Sequence, residues 1–140
     1  MKKSTLRLLY PIDRFMTHAP HTVEPDENLA QARRLMREIG ARHLPVVESG
    51  KLVGIVSERD LIMLEALTDA SPDRVPVRSA MQRDVFEVDR HTPLDEVAET
   101  MASNKYGSAV VCTGTAVVGI FTTVDALSAL VALLREMATR

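Results

Sequence analysis

The chain has 140 residues, of which 46% are hydrophobic, 26% charged and 4% aromatic. That apolar share argues against disorder and suits a globular core of aliphatic side chains. A formal net charge of −2 and a single cysteine argue against a nucleic-acid binder, which carries a basic excess, and exclude an intrachain disulfide or a cysteine-rich zinc site.

Residues 1–10 read as an N-terminal extension. The run Leu6-Arg7-Leu8-Leu9 is broken by Arg7 and too short for a signal-peptide core. The longest apolar run, Ala129–Leu134, is far below the ~20 residues of a membrane helix. A cytoplasmic protein with no membrane attachment is the expectation. An extended piece at Thr22-Val23 comes next. Leu29, Ala32, Leu35, Met36 and Ile39 then recur at helical spacing, with Gly40 placed for a left-handed C-terminus. Leu44–Val47 and Leu52–Val56 flank Glu48-Ser49-Gly50 and predict a hairpin. It leads into a helix over Glu58–Thr68. Asp69–Pro76, with two prolines, reads as a linker.

The second half repeats the order. Phe86–Val88 is extended, Thr92 is a candidate N-cap, and Pro93 a candidate first helical residue. Leu94, Val97 and Met101 give that helix its apolar face. Ala109–Cys112 and Ala116–Phe121 predict a hairpin around Thr113-Gly114-Thr115. A last helix covers Thr123–Ala138, and its Leu127, Leu130, Val131, Leu133 and Leu134 offer more apolar surface than one buried face needs. Shifting the chain by 65 positions aligns Met16–Ile62 with Met81–Leu127 without a gap, and nine of the 47 positions are identical. Chance gives roughly three. A unit of roughly 60 residues buries little surface alone, so two packed copies are expected.

The matches cluster in one motif, Gly54-Ile55-Val56-Ser57-Glu58-Arg59-Asp60 and Gly119-Ile120-Phe121-Thr122-Thr123-Val124-Asp125. Glycine permits close approach of a ligand or of backbone. A helix N-terminus offers amides and a positive dipole to phosphate. Ser57 or Thr122 adds a donor, and Asp60 or Asp125 can accept from two vicinal ribose hydroxyls. The same spacing also fits a helix-capping box, which satisfies the helix end and needs no ligand. Repetition in register, with both glycines, favours the ligand reading.

These motifs, with Arg42-His43-Leu44-Pro45-Val46-Val47, resemble a pair of cystathionine-beta-synthase (CBS) domains, a Bateman module. The likeness is to stand-alone bacterial CBS pairs, including the acetoin-utilisation type, over about residues 10–135. It implies an α/β fold of two pseudo-symmetric βαββα repeats, 11–68 and 77–140, joined by a linker at 69–76 and packed as one module. It implies clefts between the repeats for adenosine-containing ligands: AMP, ADP, ATP, NAD or S-adenosylmethionine. By that resemblance Asp60 and Asp125 hold ribose. Ser57, Arg59, Thr122, Thr123, Arg42 and His43 face phosphate. Thr22, Val23, Leu44 and Pro45 line one adenine pocket, and Glu87, Val88, Ser108, Ala109 and Val110 the other. Gly54 and Gly119 are the close-approach glycines. The second copy has Gly107, Ser108 and Val124 in place of Arg42, His43 and Arg59, so its site is the less cationic one.

No catalytic residue, catalytic cofactor or metal is expected. His18 and His21 are too loosely spaced for a metal site. Cys112 lies in an apolar strand with no base beside it, as a structural thiol does. Tyr106 reads as packed or surface, and Arg33, Arg34 and Arg37 as a solvated helix face. The expected function is a ligand sensor, pairing as a homodimer and signalling to an unknown effector protein. The competing readings are a ligand-independent scaffold with vestigial clefts and an enzyme. A nucleic-acid partner is least supported.

Overall fold

The computed structural model describes residues 7–140, in two compact units: Pro20–Val85, and Phe86–Arg140 together with the N-terminal segment up to Ala19. Neither unit coincides with a sequence repeat. The segment before each repeat's first extended piece docks on the other repeat.

In the 20–85 unit, helix α1 (Leu29–Ile39) begins with a capping box that the sequence reading missed: Asn28 caps the Gln31 amide and Gln31 returns the contact. It ends at Gly40 with φ 69°, the left-handed residue expected there. Strands β2 (His43–Glu48) and β3 (Lys51–Ser57) form the expected hairpin, and α2 (Glu58–Leu67) follows. Leu29, Ala32, Met36, Leu44, Val46, Val56 and Leu61 fill the core. The stretch 69–76 is more than a connector. It contains a short 3-10 turn, Pro72–Arg74, and Val75 is buried, with its carbonyl accepting from the Leu29 amide. Val77 and Ala80 are buried in the same core, and Gln82 exchanges two backbone hydrogen bonds with Ile55.

The other unit has a four-stranded sheet in the order β1 (Thr17–His18), β6 (Ala116–Thr122), β5 (Ser108–Thr113), β4 (Glu87–Asp89). Its helices are α3 (Leu94–Asn104) and α4 (Thr123–Ala138). Pro93, not Thr92, is the N-cap of α3, and it offers no side-chain cap. A proline nitrogen has no hydrogen to leave unpaired, so this start is tolerated. Ile12 and Met16 of the N-terminal segment share a core with Val97, Met101, Ala109, Val111 and Phe121.

The exchanged segments explain both motif glycines. A Cβ on Gly54 would lie 2.8 Å from Met81 Sδ and 2.9 Å from the Gln82 carbonyl. A Cβ on Gly119 would run into the Met16 thioether. Met16 and Met81 are repeat equivalents, so the close approach is made by the same methionine in both units. The glycines therefore have a structural reason that the ligand reading did not count. No helix among the described residues is long and apolar enough to cross a membrane.

Candidate functional site

In each unit the motif lies where a strand ends and a helix starts. Ser57 and Thr122 are extended, and each caps its helix reciprocally with the acid three residues on. The Ser57 amide donates to Asp60 Oδ2 at 2.8 Å, and the Asp60 amide donates to Ser57 Oγ at 3.1 Å. The Thr122 amide donates to Asp125 Oδ2 at 2.9 Å, and the Asp125 amide to Thr122 Oγ1 at 3.3 Å. The next amides are taken too: Glu58 donates to the Arg42 carbonyl at 2.9 Å and Thr123 to the Gly107 carbonyl at 3.3 Å. The capping alternative is thus realised in both copies. The helix dipole remains for an anion, but these amides are already paired.

Each carboxylate has one more partner. Gln82 Nε2 donates to Asp60 Oδ1 at 3.1 Å, and Thr17 Oγ1 donates to Asp125 Oδ1 at 3.1 Å. Thr17 and Gln82 are exactly one repeat apart, each directly after the methionine on the motif glycine. Sequence reasoning missed both. The signal was the 65-residue register, which pairs Thr17 with Gln82 although their residue types differ.

The candidate residues fall into two groups. Arg42, Arg59 and Thr123 are exposed, and His43, Ser57, Asp60, Thr122 and Asp125 are half-buried, all at the strand–helix junctions. His43 pairs across the hairpin with Ser57, and Ser108 with Thr122. The adenine-pocket group is mostly interior. Val23, Leu44 and Ala109 belong to their units' cores, and Pro45 and Val110 are fully buried. Thr22 and Glu87 are exposed, and Val88 and Ser108 half-buried.

Burial pushes the His43 pKa below its ordinary value; Asp60 opposes the shift and Arg42 reinforces it. His43 is therefore neutral at pH 7 and offers an N–H, not the charge expected of it. Cys112 is buried, and burial together with Glu87, whose Oε1 accepts from the thiol at 3.5 Å, pushes its pKa up to about 11. It stays a protonated thiol at neutral pH. Tyr106 packs at a tilt against Phe86, with ring centroids 5.4 Å apart. Arg33 is not part of a solvated face: it pairs with Glu65 at 2.7 Å. Among the described residues no His, Cys, Asp and Glu side chains converge as a metal site.

The family model that matches this chain is that of the CBS domain, over residues 12–66 and 77–132. The fold superposes on an AcuB-type protein from Vibrio cholerae, assigned to acetoin utilization, with a TM-score of 0.86, 31% identity, and coverage of 93% of this chain and 96% of that one. It is similar to the CBS domain pair of protein MJ0100, solved with 5-methylthioadenosine and S-adenosyl-L-methionine, at TM-score 0.76 and 26% identity, over 87% and 95% of the two chains. Protein MJ1225 of Methanocaldococcus jannaschii is 32% identical over 127 residues, which is 83% of this chain and 45% of that protein. The chain spans less than half the length of the first curated relatives it matches.

Proposed function

The chain belongs to the CBS-domain family, with two copies of the domain, and from that membership we propose that it is a cytoplasmic regulatory module that binds adenosine-containing ligands. One observation carries the reading: an aspartate stands at the same strand–helix junction in both units, in register, on a half-buried surface. A ribose held there would displace the Thr17 or Gln82 contact, its two vicinal hydroxyls donating to the carboxylate in exchange. The ligands of the similar MJ0100 pair support the adenosine class. Binding changes what a second copy or an effector protein meets only if the ligand prefers one of two states of the module.

The sites are unequal in charge. Arg42 and Arg59 flank Asp60, whereas Gly107 and Val124 flank Asp125. A hydrogen bond to a charged group contributes roughly 1.5–3 kcal/mol, so phosphorylated ligands favour the Asp60 site. The role is regulatory rather than catalytic, in keeping with a Cys112 thiol held at about 11.

A second reading has its own observation. The motif's hydroxyls, acids and glycines are all used within their own units, as a scaffold without ligands requires. Calorimetric titration with AMP, NAD and S-adenosylmethionine separates the two. Asp60→Ala and Asp125→Ala should each weaken one site by roughly ten- to a hundredfold. Loss of the cap costs only about 1 kcal/mol, so both variants remain folded. Binding that survives unchanged in the double variant removes the ribose assignment. No binding of any of the three by the wild type favours the scaffold.

A further inference from the structure

The chain itself supplies donors to the two motif acids, and it does so unequally. On Asp125, Thr17 Oγ1 lies 3.1 Å from Oδ1 and 3.3 Å from Oδ2, so one hydroxyl hydrogen is shared between both oxygens. The Thr122 amide and the Thr122 hydroxyl both donate to Oδ2, at 2.9 and 3.2 Å. On Asp60 the Ser57 amide donates to Oδ2 at 2.8 Å, and Gln82 Nε2 donates to Oδ1 at 3.1 Å. Among the described residues, hydroxyl groups donate to Asp125 and none donates to Asp60.

Thr17 and Gln82 are repeat equivalents and both are exposed. Neither is held by burial, so backbone anchoring and side-chain torsions decide how firmly each stays on its acid. Thr17 lies in β1, opposite Ile120 of β6, and the Ala19 amide fixes the segment again on the Val118 carbonyl. Its hydroxyl sits on a branched Cβ, which restricts the side chain to few rotamers. Gln82 is equally anchored in its backbone, through two hydrogen bonds with Ile55. Its amide stands at the end of a long side chain, and glutamine is among the residues that lose most rotamer freedom when held in place. Thr17 therefore covers both oxygens of its acid from a stiff mount, and Gln82 covers one oxygen from a loose mount.

A ribose brings the same kind of donor, a hydroxyl, to the same carboxylate. The cap amides belong to the helix start, so the donor that a ribose hydroxyl can replace is Thr17 or Gln82. We propose that Thr17 and Gln82 are internal competitors of the ribose, and that Thr17 competes more strongly than Gln82. The competition rests on the ribose reading of Asp60 and Asp125. It adds a restraint on affinity that does not involve phosphate, and it restrains the Asp125 site toward a neutral nucleoside as well. Both are positioning residues, acting on the ligand through the carboxylate. The opposite role for the same contacts is to hold the carboxylate ready for ligand, and the sign of one substitution separates the two.

Calorimetric titration of the full chain with adenosine reads that sign. The surroundings of the two acids differ, so each comparison stays within one site: Asp60→Ala leaves the Asp125 site, and Asp125→Ala leaves the Asp60 site. In the Asp60→Ala background, Thr17→Val keeps the shape, removes the hydroxyl, and should raise adenosine affinity about five- to tenfold. Thr17→Ser keeps the hydroxyl and should give no such gain. In the Asp125→Ala background, Gln82→Met should raise affinity by about two- to threefold. Damage to the fold lowers affinity, so it does not imitate these gains. Unchanged or weaker binding in Thr17→Val, an equal gain in Thr17→Ser, or a larger gain from Gln82→Met than from Thr17→Val overturns the competition. Titration with 2′-deoxyadenosine keeps the ribose reading separate. Adenosine preferred over the deoxynucleoside, with no gain in Thr17→Val, removes the competition and leaves the ribose reading standing. Equal binding of the two nucleosides, or no binding of adenosine by the wild type or any variant, removes both.

Discussion

In residues 20–85 the central hairpin is flanked by single bridges, Val23 to Val46 and Ile55 to Gln82. In the other unit the same flanks are strands: β4 runs parallel to β5 through Val88 and Val111, and β1 runs antiparallel to β6 at Thr17 and His18. The paired positions are repeat equivalents, and both motif acids keep the same cap geometry. What differs is the side chains laid on this backbone plan. Arg33 and Glu65 are answered by Ala98 and Leu130, Gly40 by Lys105, and His43 by Ser108. Backbone hydrogen bonds must be satisfied in any copy that folds, whereas surface side chains are free to take up different tasks. One unit carries the basic residues around its acid, and the other carries the apolar helix face.

The comparison breaks most sharply at the glycines. Gly54→Ala meets the Gln82 backbone as well as Met81, while Gly119→Ala meets only the flexible Met16 side chain. Overpacking costs about 1–3 kcal/mol, and Gly54→Ala should sit at the upper end. Denaturant unfolding of double variants checks the cause. Met16→Ala should absorb most of the cost of Gly119→Ala, and Met81→Ala only part of that of Gly54→Ala. Equal rescue in the two units would mean that the backbone of the docked segment yields as readily as a side chain.

A smaller effect is expected at the helix C-termini. Gly40 and Lys105 both adopt the left-handed conformation, with φ 69° and 59°. Lysine there carries a steric cost of roughly 1 kcal/mol that glycine does not. Lys105→Gly should therefore raise the thermal midpoint, and Gly40→Lys should lower it. A stabilised Gly40→Lys would show that the two caps are not equivalent.

The smallest effect concerns pH. Burial lowers the His43 pKa from its ordinary 6.5, so below that value the unfolded chain binds more protons than the folded one. Stability is then fully present above the ordinary histidine pKa and is lost as pH falls from there toward the folded pKa. His43→Ser, which installs the residue of the other repeat, should flatten the decline in thermal midpoint between pH 7.5 and 5. An unchanged slope would place the titration elsewhere.

Most secondary structure was legible because hydrophobic period, turn residues and the repeat agree over each segment. The hairpins, the Gly40 terminus and the bounds of α4 follow from such local patterns. Pro93 was misplaced by one position because N-cap and first-turn preferences overlap for proline. The docking of 69–76 was not legible, because the stretch looks polar, while the one buried side chain in it, Val75, is paired in space with the start of α1. At the site, the repeated acids and hydroxyls were legible. The burial of Val23, Leu44, Pro45, Ala109 and Val110 was not, since a strand sequence does not say which of its neighbours covers it.

The sequence alone determined that one βαββα plan is used twice, where its strands and helices lie, and which acid recurs at each helix start. Those features depend on local spacing and on comparison of the chain with itself. Only the tertiary structure decided which leading segment docks on which repeat. Met16 and Met81 are equivalent under the 65-residue shift, so docking on the same copy or on the other leaves the same pattern in the chain. The glycine contacts and the Thr17 and Gln82 contacts to the acids arise between residues distant in sequence. Their energies depend on three-dimensional proximity, which no local period encodes.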